Sequence, residues 1–213
     1  MYRHALAVLF VALSLTAVGC GKEAEKVAGT PTPRPTFSIP LATVVPVPQG
    51  TATITDSLFE YPAKGYTARI PAGWTAAANF YGARNTSADA FFGPKGEEEI
   101  QPNISVSCEP PPPGVTAQAF AEGKLTVLRG TLGPGVPVAL LPVRVAGLEG
   151  FLIAFSREPG QVQGEARPGY DRTDVMFIGQ KCGFVVSLTT PSGERSTYEP
   201  AFNDFLSSFR LLP

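Results

Sequence analysis

The stretch Asp171–Thr190, DRTDVMFIGQKCGFVVSLTT, decides the fold. Two runs rich in β-branched and aromatic residues, Asp171 to Ile178 and Gly183 to Thr190, flank Gly179-Gln180-Lys181-Cys182. Two such runs joined by a short Gly-containing link read as a β-hairpin. A half-solvated strand alternates apolar with polar residues. Here Val175, Met176, Phe177 and Ile178 run on without alternation, as do Phe184, Val185 and Val186. Both strands are therefore apolar on both faces, which places the hairpin at the centre of a sheet covered above and below.

Toward the C-terminus the period changes from two to 3.6. Tyr198, Ala201, Phe202, Phe205, Leu206 and Phe209 form one wide apolar stripe, as a helix packed on a sheet requires. Pro200 is expected in its first turn, where a missing N–H costs nothing.

Toward the N-terminus, Glu158–Gly169 is a polar, Gly-rich loop. Before it, Phe151–Arg157 and Val136–Ala146 read as strands joined by a turn at Gly147–Gly150. Thr116–Arg129 reads as a helix. Thr116 is its N-cap, and Ala117, Phe120, Ala121, Val127 and Leu128 are its stripe. Pro110–Pro113 end any ladder, because four successive residues lack an N–H. Asn103–Cys108 alternates with Ile104, Val106 and Cys108 inward. Further strands are expected at Ala88–Phe92, Ala77–Tyr81 and Tyr66–Ile70, the last followed by a turn at Pro71-Ala72-Gly73. Runs of strands interrupted by two helices give an α+β class, a central antiparallel β-sheet flanked by helices, over residues 51–213.

The chain ahead of this domain has a different composition. Arg3 and His4 precede an uncharged apolar run, Ala5–Val18, that ends in Gly19-Cys20. A basic start, a short apolar core and a small-residue end are signal-peptide features. Ala17-Val18-Gly19-Cys20 resembles the lipobox of bacterial lipoproteins, with Ala17 where Leu is preferred. That resemblance implies cleavage after residue 19 and a diacylglycerol thioether on Cys20, hence a membrane anchor at the extracytoplasmic face. Residues 20–50 carry Pro31, Pro33, Pro35, Pro40, Pro46 and Pro48 and read as an extended tether.

Composition excludes several function classes. The formal net charge is −1 at pH 7, so there is no basic footprint for nucleic acid. The only histidine, His4, lies in the signal. A mature chain without it has no Ser-His-Asp or Cys-His nucleophile system and lacks the commonest transition-metal ligand. No metal or other cofactor is expected. Of the three cysteines, Cys20 takes lipid. Cys108 and Cys182 remain, either as a disulfide in an oxidising compartment or as two buried thiols acting as small hydrophobes.

Three stretches now carry a resemblance. They are Tyr66–Trp74 (YTARIPAGW), Val145–Phe151 (VAGLEGF), and Phe184–Pro191 followed by Tyr198–Leu211 with Ser208-Phe209-Arg210 near its close. On these the chain resembles the PsbP/Mog1-like domain over Leu58–Leu212. The resemblance implies an α/β/α sandwich. It also implies a mostly non-enzymatic role: assembly or stabilising factors for membrane complexes, import-factor binders, or lipoproteins, of which some mycobacterial examples bind glycolipid-like molecules.

Candidate sites are few. Trp74 is read as plugging a core edge rather than lining a pocket. Glu97-Glu98-Glu99 is read as a solvated loop rather than a hard-cation site, because consecutive side chains diverge. Asp171 and Asp174, three apart on a strand, point to opposite faces, which opposes a paired-carboxylate mechanism. Arg157, Arg167, Tyr170 and Arg172 form the expected partner-contact surface, Arg and Tyr being enriched at binding hot spots. The expected function is a lipid-anchored, non-enzymatic binding or scaffold module that assists an envelope or membrane complex through an unidentified protein partner. The alternative is a carrier or sensor of an apolar small molecule or lipid, which requires a continuous apolar cavity beneath the hairpin. A carboxylate-dependent hydrolase would need two acids facing each other across a cleft.

Overall fold

A computed structural model describes residues 50–213 apart from 82–86, 133–136 and 163–164. The described residues all belong to one unit of the chain, Thr43–Pro213. The signal, Cys20 and the tether up to residue 49 lie outside the described residues.

The elements follow one another as β1 (Thr53–Ile54), β2 (Leu58–Tyr61), β3 (Tyr66–Arg69), β4 (Thr75–Tyr81), β5 (Ser87–Phe92), β6 (Asn103–Glu109), α1 (Ala117–Leu132), β7 (Leu141–Val145), β8 (Leu148–Arg157), β9 (Gly160–Val162), β10 (Glu165–Arg167), β11 (Tyr170–Ile178), β12 (Gly183–Pro191), α2 (Arg195–Ser208) and β13 (Arg210–Leu211). The class is α+β. A seven-stranded sheet runs in the order β4-β5-β6-β12-β11-β8-β7, a four-stranded sheet in the order β1-β2-β3-β13, and β9 and β10 form a small hairpin. Every pairing is antiparallel.

The β11–β12 hairpin sits at the centre of the large sheet, as its two-sided apolar pattern requires. Its link is closed by Gly179 N–H donating to the Cys182 carbonyl at 2.8 Å. Val175, Phe177, Phe184, Val186 and Leu188 point to one face, into a core that also holds Ile104, Val106, Phe202, Phe205 and Phe209. Met176 points to the other face, into a second core with Phe120, Ala121, Leu125, Phe151, Ile153 and Phe155. Helix α2 closes the first face. Burial of Phe202, Phe205 and Phe209, each at most 2% exposed, stabilises by about 1.5–3 kcal/mol per side chain before entropy is counted. After α2 the chain returns as β13 and pairs with β3, Leu211 opposite Tyr66. Phe209 stacks on Tyr66 at 4.9 Å, so the C-terminus completes the small sheet. Trp74 belongs to this core and meets Tyr198 edge-on at 6.3 Å.

Several expectations are corrected. The turn between β7 and β8 is Ala146-Gly147, not Gly147–Gly150. Both residues have positive φ, 51° and 81°, as a two-residue hairpin turn with the twist of its strands requires. Of the strand expected over residues 136–146, residue 136 lies outside the described residues and the rest is strand only over Leu141–Val145. Helix α2 begins at Arg195, so Pro200 lies inside it rather than in its first turn. Helix α1 runs past Gly130 to Leu132, and its buried residues are Phe120, Ala121 and Leu125. Val127 is 71% exposed, because the side of the helix facing the sheet is centred on Ala121, Leu125 and Leu128. Strands β1, β2 and β13 are not expected from the sequence, and the stretch Glu158–Gly169, expected as a loop, carries the paired strands β9 and β10.

Candidate functional site

The site is built on α1. Thr116 Oγ1 accepts the N–H of Ala119 at 3.1 Å, the N-cap geometry expected of it. The capped helix lays Phe120, Ala121 and Leu125 over β8 and β11. It does not cover the whole sheet face. Between α1 and the sheet lies an open groove of about 400 Å³. Its floor includes Ile153, Phe155, Met176 and Val185. Its polar groups include Glu109, Lys124, Arg172 and Asp174, with Tyr170 at one end.

The charges in the groove are already paired. Arg172 Nε donates to Asp174 Oδ1 at 2.7 Å and Arg172 Nη2 donates to Ser187 Oγ at 3.0 Å. Lys124 on the helix pairs with Glu109 on β6 and lies 5.4 Å from the centroid of the Phe120 ring. The guanidinium of Arg172 is thus fixed in plane while its side chain stays 37% exposed. A partner would meet a positioned fork and not a mobile one, with less side-chain entropy to lose on binding.

Of the expected contact residues, Tyr170 and Arg172 line this groove. Arg157 is directly opposite Tyr170 in the β8–β11 register and is half-buried. Arg167 is exposed on β10. Asp171 and Asp174 take opposite faces, as their spacing demands. Asp174 faces the groove, whereas Asp171 accepts the N–H of Gly193 at 2.9 Å and lies 3.7 Å from Arg195, at the start of α2. The two carboxylates do not face each other. Glu97, Glu98 and Glu99 are exposed. Among the described residues no group of three or more His, Cys, Asp or Glu side chains is placed to hold a metal ion.

On the other face, beside α2 and the β7 edge, a cleft of about 610 Å³ is lined by Leu152, Val175 and Leu206 together with Asn203, Ser207 and Arg210. Arg210 is engaged locally, Nη1 donating to the carbonyls of Ser207 and Phe209.

Cys108 and Cys182 form a disulfide with a Cα separation of 5.2 Å, which settles the alternative left open by the sequence. It joins β6 to the residue just before β12, two neighbours at the centre of the large sheet.

A buried polar cluster has no counterpart in the sequence reading. Lys64, in the β2–β3 turn, and Asp89, on β5, are both 0% exposed. Lys64 Nζ donates to Asp89 Oδ1 at 2.8 Å, Tyr66 OH donates to Asp89 Oδ2 at 2.7 Å, and the Asn79 N–H donates to Asp89 Oδ1 at 2.9 Å. Lys64 Nζ also lies 4.6 Å from the centroid of the Tyr61 ring. Asn79 Nδ2 donates to Tyr61 OH, and Tyr61 OH donates to the Gly50 carbonyl, both at 2.7 Å. Asn79 has φ 50°, a left-handed backbone that Asn tolerates better than most residues. Complete burial, followed by the charge of Asp89, holds the Tyr66 phenol well above its usual pKa. It remains a hydrogen-bond donor throughout the ordinary pH range. The cluster ties the small sheet to the large one, with the side chains of Lys64, Tyr66 and Asp89 closed off from solvent.

No protein-family model matches this chain, and no curated protein matches it. Solved structures do. The chain is similar to the cyanobacterial PsbP (CyanoP) of Synechocystis sp. PCC 6803, at 15% identity and a TM-score of 0.48, covering 76% of this chain and 97% of that one. It is similar to the Ran-binding protein Mog1p of Saccharomyces cerevisiae, at 11% identity and a TM-score of 0.49, covering 75% and 97%. It is also similar to LpqN of Mycobacterium tuberculosis, involved in cell envelope biogenesis, at 16% identity and a TM-score of 0.45, covering 70% and 83%. The first two carry the names of the PsbP/Mog1-like domain. These are likenesses of fold, and the function of this chain has to be sought in its own geometry.

Proposed function

We propose that this protein is a lipid-anchored, extracytoplasmic binding module that takes a protein partner in the groove between α1 and the large sheet and works without catalysis. The observation that carries the reading is the groove itself. It combines an apolar floor with a positioned Arg172, the aromatic Tyr170 and a helix wall that α1 leaves half open. Aromatic and Arg anchors over an apolar centre are what protein interfaces use. The disulfide fits an oxidising compartment and so supports a location outside the cytoplasm. Anchoring through Cys20 would keep the groove near a membrane complex. Among the described residues, no helix is long and apolar enough to cross a membrane.

The test is site-specific photocrosslinking in native membranes. A probe at Thr131, on the groove wall, is expected to give one discrete adduct that Arg172→Glu removes. A probe at Arg144, on the β7 edge, is expected to give none. Equal adducts from both positions, or none from Thr131, overturn the reading.

The carrier reading calls for a continuous apolar cavity beneath the hairpin. The groove found there is interrupted by Glu109, Lys124, Arg172 and Asp174, which favours a protein partner over a lipid chain.

A further inference from the structure

The Lys64–Asp89 pair is costly as it stands. Both groups are 0% exposed, among Phe59, Tyr61, Tyr66 and Phe91, each at most 1% exposed. Burying two charges costs several kcal/mol per ion, and their attraction repays this only when the geometry is excellent. The same surroundings make the pair reactive. A primary amine and a carboxyl group are held at 2.8 Å. Both carboxyl oxygens already receive donors, Oδ1 from the Asn79 N–H and Oδ2 from Tyr66 OH.

We propose that this is the reactant arrangement for an internal amide bond between Lys64 Nζ and Asp89 Cγ. The first step is proton transfer. Along the 2.8 Å hydrogen bond the ammonium gives a proton to Oδ1 of the carboxylate, leaving an amine and a carboxylic acid in contact. The Nζ lone pair then attacks Cγ. A C–N bond forms and the carbonyl π pair moves onto Oδ2, where the Tyr66 hydroxyl stands as an oxyanion donor stands in acyl-transfer sites. The Asn79 N–H holds Oδ1, the oxygen that departs. A proton from Nζ passes to the departing oxygen, the C–O bond breaks and one water leaves. One amine and one carboxylic acid become one amide and one water, and no oxidant, metal or cofactor is needed. Holding the two groups in contact supplies an effective concentration of about 10⁵ M or more. The product has no buried charge, and it links the β2–β3 turn covalently to β5 across a sequence separation of 25. Tyr66 and Asn79 touch the reacting carboxyl group directly and are not consumed.

The test is peptide mapping of the full chain isolated from membranes, reduced and digested with trypsin. Trypsin does not cut after an acylated lysine. The expected product is residues 27–69, uncut at Lys64, joined to residues 85–95, and lighter than the two peptides together by one water. Tyr66→Phe is expected to give a mixture of joined and separate peptides, and Lys64→Met only separate ones. Cleavage of the wild-type chain after Lys64, with Asp89 recovered on an unmodified peptide, overturns the proposal. The deciding readout is covalent mass in the wild-type chain, so it stands even where a variant fails to fold, and it is independent of the partner groove.

Discussion

A Cβ on Gly183 would come within 2.7 Å of the Phe120 ring, so the first residue of β12 leaves the space that the first turn of α1 fills. Gly183→Ala is therefore expected to push α1 off the sheet at that end. Overpacking of this kind costs about 1–3 kcal/mol. Urea denaturation should show the loss as a lower midpoint with an unchanged slope. The groove crosslink from Thr131 should fall in parallel.

The disulfide spans 74 residues of sequence. Closing a loop of that length removes about 4 kcal/mol of chain entropy from the unfolded state in the simplest treatment. Replacing Cys108 and Cys182 together by Ala should lower stability by an amount of that order. Adding reductant to the wild-type domain should reproduce the effect and leave the double variant unchanged.

In a chain whose Lys64 and Asp89 are still an unlinked ion pair, the buried cluster predicts an asymmetry. Asp89→Ala strands the Lys64 amine and removes the acceptor for both Tyr66 OH and the Asn79 N–H, so a loss of about 3–5 kcal/mol is expected. Lys64→Met leaves the carboxylate with two of its donors and should cost less. In the double variant the two losses should not add, because the residues share one network. Equilibrium unfolding of the three proteins measures this directly.

Tyr66 predicts an alkaline limb. Its phenol titrates higher in the folded chain than the ordinary 10.0, so above about pH 10 the unfolded state releases a proton that the native state keeps. Stability is then constant below the unfolded pKa and falls as pH rises through it toward the folded value, by about 1.4 kcal/mol per pH unit. Tyr66→Phe removes this contribution. The difference in stability between wild type and variant should be flat up to about pH 9 and shrink between about pH 10 and 11.

Membrane attachment has its own test. Cys20→Ser is expected to move the protein from the membrane to the soluble fraction and to abolish the acyl mass carried by wild type. A variant that stays membrane-bound, together with a wild type free of acyl mass, would remove the anchor from the account.

Much of the large sheet was legible because its strands follow simple rules. Ile104, Val106 and Cys108 alternate, the hairpin over residues 171–190 does not, and both patterns report how many faces are covered. The stripe from Tyr198 to Phe209 marked α2 without help from its ends. Helix α2 starts at Arg195 because its first turn is shaped by the turn after β12, where Asp171 holds the Gly193 N–H, a long-range contact that periodicity cannot show. Val127 was placed wrongly because an apolar residue one step off the stripe looks like part of it when Gly123 weakens the pattern. The cluster around Lys64 was missed for a different reason. A lysine in a turn reads as solvated, and its burial depends on Asp89, 25 residues away. Asp89 itself gave a signal, since it alternates inward with Phe91 in an otherwise apolar strand. The groove was half visible: Tyr170 and Arg172 were named from residue type, whereas Lys124 and Glu109 reach it only through the packing of α1.

Hydrogen exchange of the full chain tests partner binding at the groove most directly, comparing native membranes with the same protein purified into detergent. The account predicts protection in membranes confined to α1 and to the β8–β11 strand ends around Arg157, Tyr170 and Arg172, with β7 and α2 unchanged. Identical exchange in both states, or protection centred on the β7 edge and α2, would contradict it.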